Sequence, residues 1–344
     1  MKSLSAYFDL AIKEMASDLH LVAGSPAILR IHGELKEIEK TALPAKELET
    51  KLLGLLNTEQ KKRFEKNMEL DISYEHKEVR FRLNLHRQQE KIGLAARLIP
   101  STIPTFDELR FEEPLKQFPL LLDGLVLVVG PTGHGKSTTL ASLIQNINEN
   151  RKAHIVTIED PVEFLFEGAE SLVEQREVGI DTPSFESALK HVLRQDPDVI
   201  LVGEMRDPET IATVLTAAET GHLVFSTLHA SSAAEAVERI VDVFDGDKQK
   251  QILIQLSAVL RGVVAQQLLP TVDGRRVAAR EILINTPAVA NLIRENNIAQ
   301  IPSVLQTNAK EGMLPMDTSV KLLLKEEIIS KEVAEKRTGR RKQF

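Results

Sequence analysis

Hydrophobic and polar residues alternate strictly over residues 79–85, and a second segment with apolar residues at alternate positions follows at 92–99. Alternation with a period of two predicts two β-strands that each bury one face. The four residues between them, 88–91, predict the connection of a hairpin. If this hairpin is symmetric, Arg82 lies directly opposite Arg97.

Two arginines facing each other across a sheet require an explanation, because like charges in that position cost roughly 0.2–1 kcal/mol per pair. One explanation is that the register is shifted, or that water screens both guanidinium groups. The other is that an anion lies between Arg82 and Arg97. The pattern alone leaves both explanations open.

The first third of the chain mixes helical and strand patterns. Apolar residues at helical spacing, including Met15 and Leu19, predict an amphipathic helix over residues 4–20. Residues 28–31 are strand-like and precede a turn at 32–33, and the Leu-, Lys- and Glu-rich residues 45–67 predict one or two surface helices. This mixture predicts a small α+β domain over residues 1–99. The proline-rich residues that follow predict an inter-domain linker over residues 100–118.

From residue 124 onward, short apolar runs alternate with helical patterns. The runs predicted to be strands are residues 125–129, 155–158, 199–202 and 223–226. Alternation of this kind predicts a parallel sheet covered by helices, and therefore an α/β domain over residues 119–344. After about residue 285 the pattern is helical, most clearly at residues 288–295 and 318–329. The basic tail at residues 336–342 is expected to be disordered and solvated.

Composition narrows the classes of function. The 344 residues carry a formal net charge of −7 and only 4% aromatic residues, which argues against a mainly nucleic-acid-binding protein. Cysteine is absent, which excludes disulfides, thiolate zinc modules and cysteine nucleophiles. No signal-peptide pattern and no apolar run of membrane-spanning length is found. We therefore expect a cytoplasmic protein that contacts a membrane only through a partner.

A glycine-rich motif, Gly-x4-Gly-Lys-Ser, lies between the predicted strand 125–129 and a helical pattern at 137–148. This context is typical of a phosphate-binding loop, in which backbone N–H groups and a helix N-terminus surround nucleotide phosphates. Lys136 is expected to reach the β- and γ-phosphates, and the Ser137 hydroxyl to bind Mg²⁺. The residues predicted to bind the nucleotide are Gly130, Pro131, Thr132, Gly133, His134, Gly135, Lys136, Ser137 and Thr138.

Two acidic clusters end predicted strands, where ligands of parallel sheets bind. One occupies residues 159–163, and the other ends in Gly203-Glu204. A carboxylate at either place can orient or deprotonate the water that hydrolysis of a nucleotide requires. His229 lies just past the strand 223–226 and is a candidate sensor of the γ-phosphate. A lone histidine is nevertheless more often structural or solvated than catalytic.

These motifs resemble those of the secretion-type AAA-like ATPases of type II secretion and type IV pili. The family's phosphate loop reads GPTGSGKSTT, and this chain has GPTGHGKSTT, with His134 in place of a serine used mainly through its backbone. The resemblance implies a functional glutamate at Glu163, a catalytic glutamate at Glu204 and a histidine box with His222 and His229. It also implies that two N-terminal arginines act on the phosphates, and their pattern matches Arg82 and Arg97.

Within this family, three features favour the enzymes of pilus retraction. The chain is short, it lacks the four-cysteine zinc module of many assembly and export relatives, and residues 288–295 read AVANLIRE where retraction enzymes have AIRNLIRE. Ala290 therefore replaces an arginine of that signature.

The resemblance implies a RecA-like P-loop domain of the α/β class with a smaller PAS-like N-terminal domain, assembled as a homohexamer. It implies ATP and Mg²⁺ as cofactors, with Ser137 on the metal and Glu204 reaching it through water. The implied partner is the inner-membrane platform protein of the pilus, at the cytoplasmic face of the pilus base.

Three alternatives stay open at this point. The first is that the chain powers pilus assembly or type II secretion, since those enzymes share the motifs. A nucleic-acid translocase is a second alternative, although the acidic charge and scarce aromatic residues count against stable nucleic-acid binding. A nucleotide-dependent scaffold without catalysis is the third.

Overall fold

The computed structural model describes residues 1–31, 33–77, 79–99 and 102–339. The chain divides into two compact units, Met1–Thr102 and Ile103–Phe344, called unit 1 and unit 2 below. Each unit has its own hydrophobic core. In the described residues, no helix combines the length and apolar character needed to cross a membrane.

Unit 1 is an antiparallel sheet packed against helices. The sheet has the order β3-β2-β1-β6-β5-β4, and its apolar face packs against the helices around Phe8, Phe64 and Phe81, all fully buried. This arrangement agrees with the expected PAS-like α+β domain. The elements are α1 (Leu4–Lys13), β1 (Asp18–Val22), β2 (Ile28–Ile31), β3 (Glu34–Glu37), α2 (Ala45–Gly54), α3 (Thr58–Asn67), β4 (Glu69–His76), β5 (Val79–Gln88) and β6 (Lys91–Leu98).

The predicted hairpin is β5–β6, and its register confirms that Arg82 faces Arg97. The alternative of a shifted register is therefore wrong. The connection is shorter than predicted, because Gln88 already pairs with Lys91 and only Gln89 and Glu90 turn, with φ angles of 47° and 61°. Two consecutive positive φ values are the conformation of the tight hairpin turn that matches strand twist.

The helix predicted over residues 4–20 is too long by several residues. Helix α1 ends at Lys13, and the chain reverses through Met15, which has a φ of 48° and is 80% exposed. Leu19 is buried from β1 and not from a helix. The apolar spacing continues from the helix into the strand, so periodicity alone does not locate the boundary.

Unit 2 contains a sheet of the order β13-β12-β7-β11-β10-β8-β9, parallel throughout except for the antiparallel edge strand β13. All four predicted strands are present as β7, β8, β10 and β11, and β9, β12 and β13 were not predicted. The strands are β7 (Gly124–Val129), β8 (His154–Glu159), β9 (Leu172–Glu177), β10 (Val199–Val202), β11 (Leu223–Leu228), β12 (Leu260–Pro270) and β13 (Arg276–Ile284).

Helices cover both faces of this sheet, which makes a three-layer α/β domain and agrees with the expected RecA-like fold class. Leu125, Leu127 and Val129 of β7 pack into one core, and Val126 and Val128 pack into the core on the opposite face. The helices are α4 (Glu113–Gln117), α5 (Lys136–Asn150), α6 (Phe185–Val192), α7 (Pro208–Glu219), α8 (Ala233–Asp242), α9 (Gly246–Val259), α10 (Pro287–Arg294), α11 (Ile301–Thr307), α12 (Met316–Lys325) and α13 (Lys331–Gly339).

The two ends of unit 2 are ordered segments packed on its core. Residues 103–118, expected as most of the linker, bury Phe111, Leu115 and Phe118 against the core that includes α5. The described part of the basic tail, residues 336–339, forms the end of helix α13. This helix buries Ala334. Pro100 of the expected linker and residues 340–342 of the tail lie outside the described residues.

Candidate nucleotide site

The predicted phosphate loop lies between the carboxyl end of β7 and the N-terminus of α5. Its three glycines, Gly130, Gly133 and Gly135, all have positive φ angles, of 152°, 76° and 79°. A Cβ atom on Gly130 would lie 2.4 Å from the carbonyl oxygen of Gln266, so only glycine fits there. The loop therefore turns its backbone tightly at the start of a helix, as an anion site requires.

Lys136 is held inside this loop. Its side chain is buried, and Nζ donates hydrogen bonds to the carbonyl oxygens of Gly130 at 2.8 Å and Pro131 at 3.1 Å. Burial lowers the pKa of Lys136, and the negative charges of Glu204 and Glu163 act in the opposite direction. The ammonium group is thus placed where incoming phosphate oxygens can replace the loop carbonyls as its partners.

Glu204 and His229 meet at the carboxyl ends of β10 and β11. The Glu204 carboxylate forms a close ion pair with Arg206, and His229 Nε2 lies 3.4 Å from its Oε2. Strands β7, β11 and β10 are neighbours and run parallel, so their carboxyl ends lie on the same side of the sheet. Glu204 and His229 therefore lie on the side that carries the phosphate loop. His222 lies at the other end of β11, with Nδ1 2.9 Å from the carbonyl oxygen of Ala217. The structure therefore brings only one of the two box histidines to this edge.

The acidic cluster after β8 contains two glutamates in different environments. Glu159 is buried, and burial raises the pKa of its carboxyl group to about 7. Thr157 Oγ1 donates to Glu159 Oε1 at 2.7 Å, and the Glu163 backbone N–H lies 3.4 Å from Oε2. Glu163, the glutamate singled out in the sequence, is exposed and remains close enough to Lys136 to act on its pKa.

Arg82 and Arg97 lie on the polar face of the unit 1 sheet, and each has an acidic partner. Arg97 Nε donates to Asp18 Oδ1 at 3.0 Å, and Arg82 Nε lies 3.8 Å from Asp71 Oδ1. These carboxylates offset the repulsion between the two guanidinium groups within the sheet itself. The facing pair therefore does not by itself require a bound anion. Both arginines keep exposed surface, 38% for Arg82 and 66% for Arg97.

The family described as "Type II/IV secretion system protein" matches residues 1–309 of this chain. That match covers unit 1 and most of unit 2, including the loop and the carboxylates described above. The chain belongs to the type II/IV secretion system protein family.

Two curated members of the family and one solved structure are similar over most of the chain. This secretion system protein is 47% identical over 323 residues to "Type IV pilus retractation ATPase PilT" of Pseudomonas aeruginosa, covering 94% of each chain. It is 48% identical to "Twitching motility protein" of Neisseria gonorrhoeae, covering 92% of this chain and 85% of the relative. The crystal structure of "the Pilus Retraction Motor PilT and Bound ADP" superimposes with a TM-score of 0.90 at 42% identity. The match covers 98% of this chain and 97% of the chain in that structure. The family resemblance inferred from the motifs is confirmed.

A cavity of about 750 Å³ opens beside the phosphate loop of this secretion system protein. Its lining includes Gly135, Thr138 and Thr139, residues of β12 and β13 such as Arg276, and residues 107–110. Its volume is within the range of small-molecule sites. The cavity reaches the loop at Gly135 and Thr138, next to Ser137.

Sequence reasoning missed Gln266, which backs the phosphate loop of this family member. Gln266 Nε2 donates to the His134 carbonyl oxygen at 2.8 Å, and its Oε1 accepts from Thr139 Oγ1 at 2.8 Å. The same Oε1 accepts from Arg280 Nε at 2.9 Å. Gln266 was overlooked because β12 was not predicted as a strand, although two adjacent glutamines inside an apolar run were a visible signal.

Proposed function

We propose that this chain is an ATP-hydrolysing hexameric motor that powers retraction of type IV pili. The observation that carries the proposal is the end-to-end similarity to a retraction ATPase, which covers 94% of both chains. The arrangement of Lys136, Glu204 and His229 at one sheet edge supports it chemically. A nucleotide-binding loop with an adjacent carboxylate is the minimum that such an ATPase needs.

The loop residues 130–138 bind the phosphates of ATP through backbone N–H groups, and Lys136 contributes its positive charge. The donor set fits Mg²⁺, because the Ser137 hydroxyl and the Glu204 carboxylate are oxygen ligands, the carboxylate acting through water. When bound, Mg²⁺ would neutralise charge on the β- and γ-phosphates. The cavity beside Thr138 accommodates the nucleoside.

Glu204 orients the attacking water and accepts its proton, since it is the carboxylate paired with His229. His229 senses the γ-phosphate, and Glu163 adds a second carboxylate close to Lys136. Arg82 and Arg97 stabilise the charge that develops on the phosphates, as arginines do in other nucleotide hydrolases. Both arginines retain the exposed surface that such a role needs.

The remaining parts of the proposal concern assembly. Six copies form a ring at the cytoplasmic face of the inner membrane, at the pilus base, and act on the platform protein there. ATP hydrolysis is thereby coupled to mechanical work on the pilus. The proposal includes no stable nucleic-acid partner, and the negative overall charge supports this part of it.

Replacing Glu204 with Gln tests this function in the organism and in solution. The variant keeps the side-chain shape and removes the negative charge, so we expect ATP binding to persist and turnover to fall by at least about 100-fold. Cells carrying Glu204→Gln as their sole copy should remain piliated and fail to twitch. Glu209→Gln, on the exposed first turn of α7, is the matched control and should behave as wild type.

Other outcomes identify the competing functions. Cells without pili would indicate an assembly motor, and loss of protein secretion with normal twitching would indicate a secretion motor. Stimulation of the ATPase by single-stranded DNA or RNA would indicate a translocase. Unchanged turnover in Glu204→Gln would contradict the catalytic assignment of this residue.

A further inference from the structure

Among the residues that the structure describes, no strand pairs beyond Ala265 with the edge of β12 that faces the phosphate loop. Strand β7 pairs with β12 as far as Val129, opposite Ala265, and then turns into the loop. Strand β12 continues to Pro270, so the loop takes the place of β7 along the last part of this edge. The Gln266 carbonyl oxygen faces this side, since it lies 2.4 Å from the place that a Cβ atom on Gly130 would occupy. The Leu268 N–H faces the same side, since it donates to His134 Nδ1.

His134 connects the loop to this edge through two hydrogen bonds. Its carbonyl oxygen accepts from Gln266 Nε2 at 2.8 Å, and its ring Nδ1 accepts from the Leu268 backbone N–H at 3.0 Å. The imidazole therefore supplies the acceptor that a continued strand would have offered to Leu268. The Leu268 N–H is partly buried, and this bond supplies its acceptor, so the bond favours the observed position of the loop.

We propose that the His134 side chain is a positioning residue that holds the phosphate loop in its nucleotide-binding conformation by accepting the Leu268 N–H. Nucleotide affinity then depends on the δ1 acceptor of residue 134, in addition to the backbone of the loop. The inference rests on the proposed nucleotide site and adds to it a side chain that does not itself touch the reacting atoms. Pre-organisation of this kind raises affinity because the loop loses less freedom on binding.

The ring can accept at Nδ1 only when it is neutral, with its proton on Nε2. The charged groups acting on it are Lys136 from the start of α5, Arg276 from β13 and Arg337 from α13, and all three are cations. Burial and these cations lower the pKa of His134. The acceptor form therefore persists through neutral pH and is lost only in acid.

Two substitutions separate the acceptor from the shape of the side chain. His134→Asn retains an acceptor, Oδ1, the same number of bonds from the backbone as Nδ1. His134→Leu places a methyl group there. We expect the Kd for ATP with Mg²⁺ to rise about tenfold in the Leu variant and to stay within about threefold of wild type in the Asn variant. The kinetic loss should lie in KM more than in kcat.

A pH series gives a readout that a simple packing role would not move. As the pH falls below the ordinary histidine pKa, the ATP affinity of wild type should weaken relative to that of His134→Asn, because only the imidazole becomes protonated. Protonation of ATP itself affects both proteins equally and cancels in the ratio. A ratio that stays constant from pH 8 down to the lowest pH at which both proteins remain folded would contradict the proposal.

The outcomes distinguish this inference from the proposed function. Equal affinity of wild type and His134→Leu, or an equal loss in the Asn and Leu variants, would overturn the positioning role while leaving the nucleotide site intact. Failure of wild type to bind ATP, or full binding by Lys136→Ala, would overturn the proposed function instead. If the Leu variant does not fold, His134→Ala replaces it, with thermal unfolding without nucleotide as the check.

Discussion

At the scale of single residues, the glutamates near the phosphate loop differ in their surroundings more than in their positions. Glu204 is paired with cationic Arg206, Glu163 is exposed, and Glu159 is 8% exposed with a hydroxyl and an amide as neighbours. The sequence predicted carboxylates at this edge, because strand ends can be recognised from apolar runs. Which carboxylate is buried could not be predicted, since Gln175 of the unpredicted strand β9 contributes to the surroundings of Glu159.

The buried carboxyl group of Glu159 gives the stability of unit 2 a defined pH dependence. Its pKa rises from the ordinary 4.5 to about 7 in the folded protein. Between these values the folded protein holds a proton that the unfolded chain has released, so the free energy of unfolding falls as pH rises through this window. In the Glu159→Gln variant the side chain at this position does not titrate, so this contribution to the pH dependence is removed. Relative to this variant, wild type should lose about 3 kcal/mol of stability between pH 4.5 and pH 7.5.

Urea unfolding at several pH values measures this difference. Both tyrosines of the chain, Tyr7 and Tyr74, belong to unit 1, so tyrosine fluorescence follows unit 1 and circular dichroism follows the whole chain. The pH-dependent difference should appear only in the transition of unit 2. Glu167→Gln, on the exposed surface after β8, should keep the wild-type slope. Parallel pH profiles for wild type and Glu159→Gln would refute the assignment.

At the scale of elements, strands β12 and β13 connect the phosphate loop to the start of unit 2. Arg280 of β13 has a side chain that is 1% exposed, and it donates to Gln266, to Glu112 and to the carbonyl oxygens of residues 109 and 110. Its guanidinium carbon also lies 4.9 Å from the centre of the Phe111 ring. Segment 103–118 is therefore fixed to the same network of side chains that supports the loop.

This network explains why part of the fold was not predictable from the pattern. Strand β12 is buried on both faces, so its apolar run lacks the alternation that identifies a half-buried strand. The prolines of segment 103–118 suggested a linker, yet Pro114 occupies the first turn of α4, where proline is favoured. The interactions of Arg280 span about 170 residues of sequence, and local patterns carry no information about such pairs.

Removing the charge of Arg280 should strongly destabilise unit 2. Arg280→Met keeps most of the side-chain volume but leaves Glu112 and the carbonyl oxygens of segment 103–118 without their donor. Loss of one partner of a buried ion pair costs about 3–5 kcal/mol. We expect a loss of this size in the unfolding free energy of unit 2, measured by circular dichroism in urea. Unit 1, followed by tyrosine fluorescence, should be unchanged.

Arg239 provides the matched control for this experiment. It forms an i,i+4 ion pair with Glu235 on α8 and is 55% exposed, so Arg239→Met should cost less than about 1 kcal/mol. A cost for Arg280→Met no larger than for Arg239→Met would show that the buried network contributes little. Adding Glu112→Leu to Arg280→Met should recover part of the loss, because the unpaired carboxylate is then removed as well.

At the scale of the whole molecule, the residues proposed to act on ATP are divided between two units with separate cores. The phosphate loop, Glu204 and His229 belong to unit 2, and Arg82 and Arg97 belong to unit 1. Strand alternation predicted the facing arginines, and the structure added their partners Asp71 and Asp18. Those partners are not evident in the sequence, because Asp18 lies within the segment predicted as a helix.

If the two arginines act on ATP, unit 1 is needed for turnover and not only for assembly. Arg82→Ala and Arg97→Ala should each lower kcat by about 100-fold or more, with ATP affinity changed far less, since such arginines act mainly on charge that develops during the reaction. Steady-state ATPase rates and equilibrium binding of ATP measure the two quantities separately. Arg87→Ala is the control, because Arg87 lies on the same strand and is paired with Glu49. Equal turnover of the Arg82, Arg97 and Arg87 variants would confine ATP hydrolysis to the residues of unit 2, and the arginine pair would then serve only the sheet in which it lies.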